Sequence, residues 1–115
     1  MVFVITVILK RWGNIMEIII RNKKIISTCF SNTEDAWKIE DSILVLEYLK
    51  SKKKIVLGGD ILTDTLQYTY DSWYYNIDTN KNLQFNAELG FKVASKYILN
   101  YMETNGNSFY VVFVV

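Results

Sequence analysis

The chain predicts an α+β fold: a two-layer sandwich of mostly antiparallel β-sheet with two α-helices packed on one face. Three observations carry this. Short apolar, β-branched runs recur at residues 2–9, 16–21, 55–57 and 109–115. Two longer stretches, about 34–51 and 87–104, repeat apolar residues at three- and four-residue spacing, which is one buried helical stripe each. Helices separated by strands in this order suggest a sheet on one side and the helices on the other. With 115 residues the whole chain, 1–115, makes one domain that buries roughly two-thirds of the surface its unfolded form exposes.

Taken in order, residues 2–9 are apolar apart from Thr6. A membrane span needs about twenty apolar residues, and Lys10-Arg11 arrives too soon. A secretory signal wants its positive charge before the apolar run, the reverse of what is found. Two readings stay open: an N-terminal strand, or an extension of residues 1–15 ahead of a natural start at Met16. Residues 16–21 form the next strand, closed by an Asn22-Lys23-Lys24 turn. Residues 25–30 are either its hairpin partner or a lead-in to the next element. Cys29 sits among apolar neighbours and reads as a small packed thiol.

Ser31-Asn32-Thr33 followed by Glu34-Asp35 is a helix-start signal, so the first helix is placed at about 34–51. Ala36, Ile39, Ile43, Leu46 and Leu49 or Lys50 face inward, with Trp37, Leu44 and Tyr48 on one flank. Lys50, Lys52, Lys53 and Lys54 close it, where cations complement the macrodipole and stay solvated rather than bind phosphate. Ile55-Val56-Leu57 then reads as an inner strand that ends at a tight Gly58-Gly59-Asp60 turn, with Asp60 bonding nearby amides. Neither phosphate-loop spacing is present there. Residues 76–85 form a polar loop, and Asn86 caps a second helix over about 87–104. Its inward stripe is Ala87, Gly90 or Phe91, Ala94, Ile98 and Tyr101, and Asn105-Gly106 stops it. Residues 109–115 are a terminal strand that must be buried on both faces or paired on both edges.

The stretch around which the rest is organised is 54–77. Residues 67–77 hold Tyr68, Tyr70, Trp73, Tyr74 and Tyr75, and between Gly58 and Asn80 lie Asp60, Asp64, Asp71 and Asp78 with no Lys or Arg. In an extended chain Tyr68, Tyr70 and Tyr74 share one face while Asp71, Trp73, Tyr75 and Ile77 share the other. One face packs on the core; the other is covered by something else or exposed, and Tyr and Trp are the residues that carry binding energy at interfaces. The net charge of +1 gives no electrostatic case for nucleic acid or an anionic membrane. The chain has no His and one Cys, which removes His-dependent triads, a thiolate metal site and an internal disulfide. The four aspartates lack EF-hand spacing, so no metal and no cofactor is expected. A carboxylate pair such as Asp60 and Asp71 is what an enzyme reading would have to use.

Leu57-Gly58-Gly59-Asp60, then Tyr70-Asp71-Ser72-Trp73-Tyr74, then a helix and a terminal apolar strand, resembles a family of bacterial immunity proteins, the one numbered 40 in polymorphic-toxin classifications. The resemblance covers roughly residues 34–115, and residues 1–15 find no counterpart in it. It implies a small α+β protein, not an enzyme, encoded beside a secreted toxin and binding that toxin in the cytoplasm to protect the producing cell. Gly58, Gly59, Asp60, Asp71, Trp73 and Tyr74 occupy the family's motif positions. The expected partner-binding residues are Asp60, Asp64, Tyr68, Tyr70, Asp71, Trp73 and Tyr74, with Gly58 and Gly59 structural. The alternative is a small homodimeric structural or regulatory module, pairing through 109–115 or the N-terminal strand.

Overall fold

Alternation of buried and open positions decides the N-terminal third. In the computed structural model, which describes residues 7–13, 15–31 and 34–115, the strand β2 (Ile15–Ile20) buries Ile18 and Ile20 and leaves Ile15 exposed. It is the centre of a three-stranded antiparallel sheet, flanked by β1 (Val7–Trp12) and β3 (Lys23–Ile26). Arg21 and Asn22 both have positive φ, 51° and 65°, and Ile20 pairs with Lys23. That is the left-handed two-residue hairpin turn that matches strand twist, one residue earlier than the expected Asn22–Lys24 turn. The expected strand at 2–9 falls within the described residues only from Val7 onward.

A second sheet begins immediately. Its order is β4 (Thr28–Ser31), β5 (Glu34–Lys38), β8 (Phe109–Val114), β6 (Gly58–Thr63), β7 (Tyr68–Tyr74), all antiparallel neighbours. Here the expected helix start at 34 is corrected: residues 34–38 are a strand. Ala36 and Trp37 are consecutive and both buried, one joining the cluster of Leu62 and Val112, the other that of Ile18 and Val45. Only an extended chain sends neighbouring side chains to opposite faces, and pairing with Val112 and Val111 overrides the capping signal. After a single 3-10 turn, α1 runs Ser42–Ser51. Lys53, with φ +55°, follows it.

The second helix, α2 (Leu83–Asn105), starts one turn earlier than expected, with Asn82 accepting the Phe85 amide at 2.8 Å. Its inward stripe stands: Ala87, Gly90, Ala94 and Ile98 are buried, and Gly106 at φ +86° ends it. No helix of the described residues is long and apolar enough to cross a membrane. Both helices cover one face of the five-stranded sheet, closing a core of Ile39, Leu46, Val56, Ile61, Trp73, Ala94, Ile98 and Val111. The smaller sheet packs Ile18, Ile20 and Ile25 against Trp37 and Val45. Arg11–Asp35, Arg21–Glu47 and Lys23–Asp41 ion pairs tie it to β5 and to the segment around α1. Being partly exposed, they stabilise little.

The terminal strand behaves as its composition demands. β8 is paired on both edges and buries Val111 and Val112 on opposite faces. Cys29 does not: the expected packed thiol is exposed, because β4 is an edge strand and its alternation turns Cys29 outward.

Asn86, expected as a cap, is instead a buried organiser. Its Oδ1 accepts from the Tyr75 hydroxyl at 2.6 Å and the Asp78 amide at 2.8 Å, and its Nδ2 donates to the Asp78 and Asn82 carbonyls at 3.0 Å each. The 75–82 segment is thereby fixed to the first turns of α2. Replacing Asn86 by Ala strands several of these groups, each at about 1–3 kcal/mol where buried. The expected outcome is a loss of at least ~2 kcal/mol in urea unfolding.

Candidate functional site

Gly58-Gly59-Asp60 is not a turn. All three residues lie in β6, paired in register with Tyr74, Trp73 and Ser72 of β7 and with Val114, Phe113 and Val112 of β8. The glycines are there for space. A methyl on Gly59 would overlap the Trp73 ring and come within 2.7 Å of the Val112 carbonyl; one on Gly58 would overlap the Trp73 carbonyl. The indole therefore lies over a gap in β6 that only glycine leaves open. The two sequence motifs are one cross-strand unit.

Trp73 is 7% exposed. It stacks on Tyr97 of α2 at 5.1 Å and meets Phe113 edge-on at 6.1 Å. Tyr97 in turn stacks on Tyr101, which meets Phe109 edge-on at 5.2 Å. The Tyr101 hydroxyl donates to Asp71 Oδ2 at 2.9 Å. Asp71 and Trp73 thus hold β7 to α2 from the helix side. Tyr97 and Tyr101 lie four residues apart on one helical face; the stripe read from the sequence includes Tyr101, and Tyr97 is the partner it missed.

The opposite face carries the remaining tyrosines. Asp60 pairs with Ser72 and Leu62 with Tyr68, so Ile61 alone of β6 faces Thr69, Tyr70 and Asp71 of β7. Thr69 Oγ1 closes this bulge, donating to the Ile61 carbonyl at 2.8 Å and accepting from the Asp71 amide at 3.1 Å. Tyr70 takes φ +68°. An insertion of two residues preserves the alternation, so the expected division of faces survives the bulge. Tyr68 is 48% exposed, Tyr70 92% and Tyr74 77%.

These rings stand beside a surface that no helix of the described residues covers. Its floor is Ala36, Leu62 and Val112, packed by Phe30, Leu66 and Tyr110. Phe30 of β4 meets Tyr68 of β7 edge-on at 5.3 Å, although the two strands are opposite edges of the sheet. Flat strands would stand about 19 Å apart, so the sheet curls and this face is concave. Tyr68 lies 6.4 Å from Tyr70. Asp60 shares this face with its opposite neighbour Val112, and Asp64 is exposed in the β6–β7 hairpin loop.

Among the described residues Asp60, Asp64, Asp71 and Asp78 make no ion pair. Asp60 and Asp71 lie on opposite faces, so they form no carboxylate pair. Among the described residues no group of three His, Cys, Asp or Glu is placed to hold a metal ion. Of the expected binding residues, the structure gathers Asp60, Asp64, Tyr68, Tyr70 and Tyr74 around one hairpin and sends Asp71 and Trp73 behind it.

Gly59→Ala must displace Trp73 or part β6 from β8, and such overpacking costs about 1–3 kcal/mol; urea unfolding reads it directly. Burial raises the Tyr101 phenol above its usual 10.0, and its hydrogen bond to Asp71 adds to this against a smaller opposing effect of Thr69; Tyr97 is raised by burial and then by the Asp71 charge. Protons are held more tightly in the folded state, so this stabilisation is present below pH 10.0 and lost as pH rises through the folded values. Unfolding free energy of Tyr101→Phe should fall less steeply with pH in that alkaline range than that of the wild type.

Comparison with known proteins bears on this arrangement. No curated protein and no solved structure matches the chain. A family model described as Immunity protein 40 matches residues 17–115, a span that takes in the whole Gly-Gly and Trp73 unit, α2 and β8. The chain belongs to the immunity protein 40 family.

Proposed function

We propose that this chain binds and neutralises a cognate secreted bacterial toxin, covering its active site with the surface formed by Asp60, Asp64, Tyr68, Tyr70 and Tyr74. The observation that carries the reading is the exposure of Tyr70 and Tyr74, at 92% and 77%, beside aspartates with no cation paired to them among the described residues. Large aromatic rings on a rigid strand are what interface hot spots are made of. Uncompensated negative charge around them complements a basic active site, raising the association rate while buried rings slow release. Asp71 and Trp73 serve from behind by fixing β7. The role needs no catalysis, metal or cofactor from this chain, no nucleic acid and no membrane, and is exerted in the cytoplasm of the producing cell.

The homodimeric module is disfavoured in one of its forms: residues 109–114 are paired on both edges, so β8 offers no free edge to a second copy.

The test is calorimetric binding to the toxin domain encoded beside the gene. Tyr70→Ala and Tyr74→Ala, both at exposed positions, should keep the fold, and each should cost at least ~2 kcal/mol, about thirtyfold in Kd. Wild-type affinity in both folded variants would remove this surface from the interface.

A further inference from the structure

We propose that the partner docks by strand addition: an extended, basic segment of a partner protein pairs with the outer edge of β7 at Ser72–Tyr74 and with the chain that follows it to Ile77. This rests on the toxin-binding reading above and specifies how that surface is used. β7 ends the five-stranded sheet, so on its outer side no strand of the described residues pairs with it. Edges are normally protected by brevity, lysine, proline or a bulge. The other edge, β4, is protected in this way: it has four residues and a register shift between Cys29 and Ser31. β7 has no Lys and no Pro; its bulge at Thr69–Asp71 lies toward the hairpin loop, and beyond it Ser72, Trp73 and Tyr74 pair in register with β6 on the inner side.

The charge carried by the β6–β7 hairpin and the chain after it selects the occupant. Residues 58–80 carry four aspartates and no Lys or Arg, and none of the four is in an ion pair among the described residues. A second copy of β7 would bring the same acids together. A cationic segment would neutralise them while its backbone supplies the hydrogen bonds of the ladder and its side chains reach Tyr74 and Asp60 on the concave face. Tyr70, held at φ +68° with its ring in solvent, then flanks the end of the added strand.

The experiment is amide hydrogen exchange over residues 68–77, with the free protein at several concentrations and with the complex formed with the toxin domain encoded beside the gene. Strand addition predicts fast exchange of the outward amides of 72–77 in the free protein and about tenfold or greater slowing in the complex. Tyr74→Ala, saturated with toxin, should show the same slowing at weaker affinity. A complex that leaves these amides unchanged overturns strand addition and leaves toxin binding standing. Slowing that grows with the protein's own concentration, without toxin, assigns the edge to a second copy and overturns it too. If no complex forms, the toxin-binding reading itself fails and strand addition falls with it.

Discussion

The fit of Trp73 over Gly59 is the constraint on which the rest of this structure depends. An indole cannot enter the core from an edge strand unless the neighbouring strand gives way, and here it gives way by having no side chain. Once the ring is seated against β6, it fixes the β6–β7 register, because a slip of one residue would place Asp60 or Gly58 opposite it and turn Tyr74 inward. It also fixes α2, through Tyr97 and then Tyr101, whose hydroxyl returns to Asp71 two residues before Trp73. The closed circuit runs strand, helix, strand. One ring nitrogen is left over: Trp73 Nε1 is buried without a hydrogen-bond partner among the described residues, a cost of about 1–3 kcal/mol that the packing of the ring outweighs.

The circuit lies on the helix side, and the rings of Tyr68, Tyr70 and Tyr74 are left exposed. The alternation of β7 assigns Asp71 and Trp73 to support and Tyr68, Ser72 and Tyr74 to the opposite face, and the two-residue bulge keeps that assignment while turning Tyr70 out. Left-handed backbone is unfavourable for a bulky residue, and Tyr70 gains no burial in return. The Thr69 hydroxyl, bonded to both strands, is what holds the conformation. A strained, exposed aromatic held by a rigid frame is pre-organised, which lowers the ordering cost that binding must otherwise meet.

How much of this the sequence reveals depends on the range of the interaction. Local periodicity shows the α2 stripe and its Gly106 stop, and the apolar run at 109–115 shows a strand that needs partners on both sides. Residues 34–38 mislead because the capping signal of Ser31 to Asp35 is local, whereas the pairing of Ala36 and Trp37 with β8 spans more than seventy residues of chain. Gly58-Gly59 reads as a turn for a similar reason. Glycine marks either unusual backbone angles or close approach, and only the position of Trp73, fourteen residues later, decides for close approach. Asn86 reads as a cap from its residue type alone, and only its burial against Tyr75 and Asp78 shows that it has another role and that Asn82 is the cap. The division of the tyrosine faces is legible because strand alternation is a local rule. Phe30, which closes the concave face from the far edge, is not, because its contact with Tyr68 depends on the curl of the whole sheet.

Charge completes the separation of roles. The ion pairs of the described residues all lie in the N-terminal half, where they join the smaller sheet to β5 and α1 or link its own strands. Among the described residues the acids of 58–80 have no such partners. Had the uncompensated charge been scattered, it would serve only solubility. Gathered on one hairpin and the chain just after it, near exposed rings, such charge disfavours a like surface and favours a basic one. The same stretch of chain therefore supplies the anchor that makes the fold rigid, the rings left exposed and the negative charge around them, and the alternation of a single strand is what keeps the three apart.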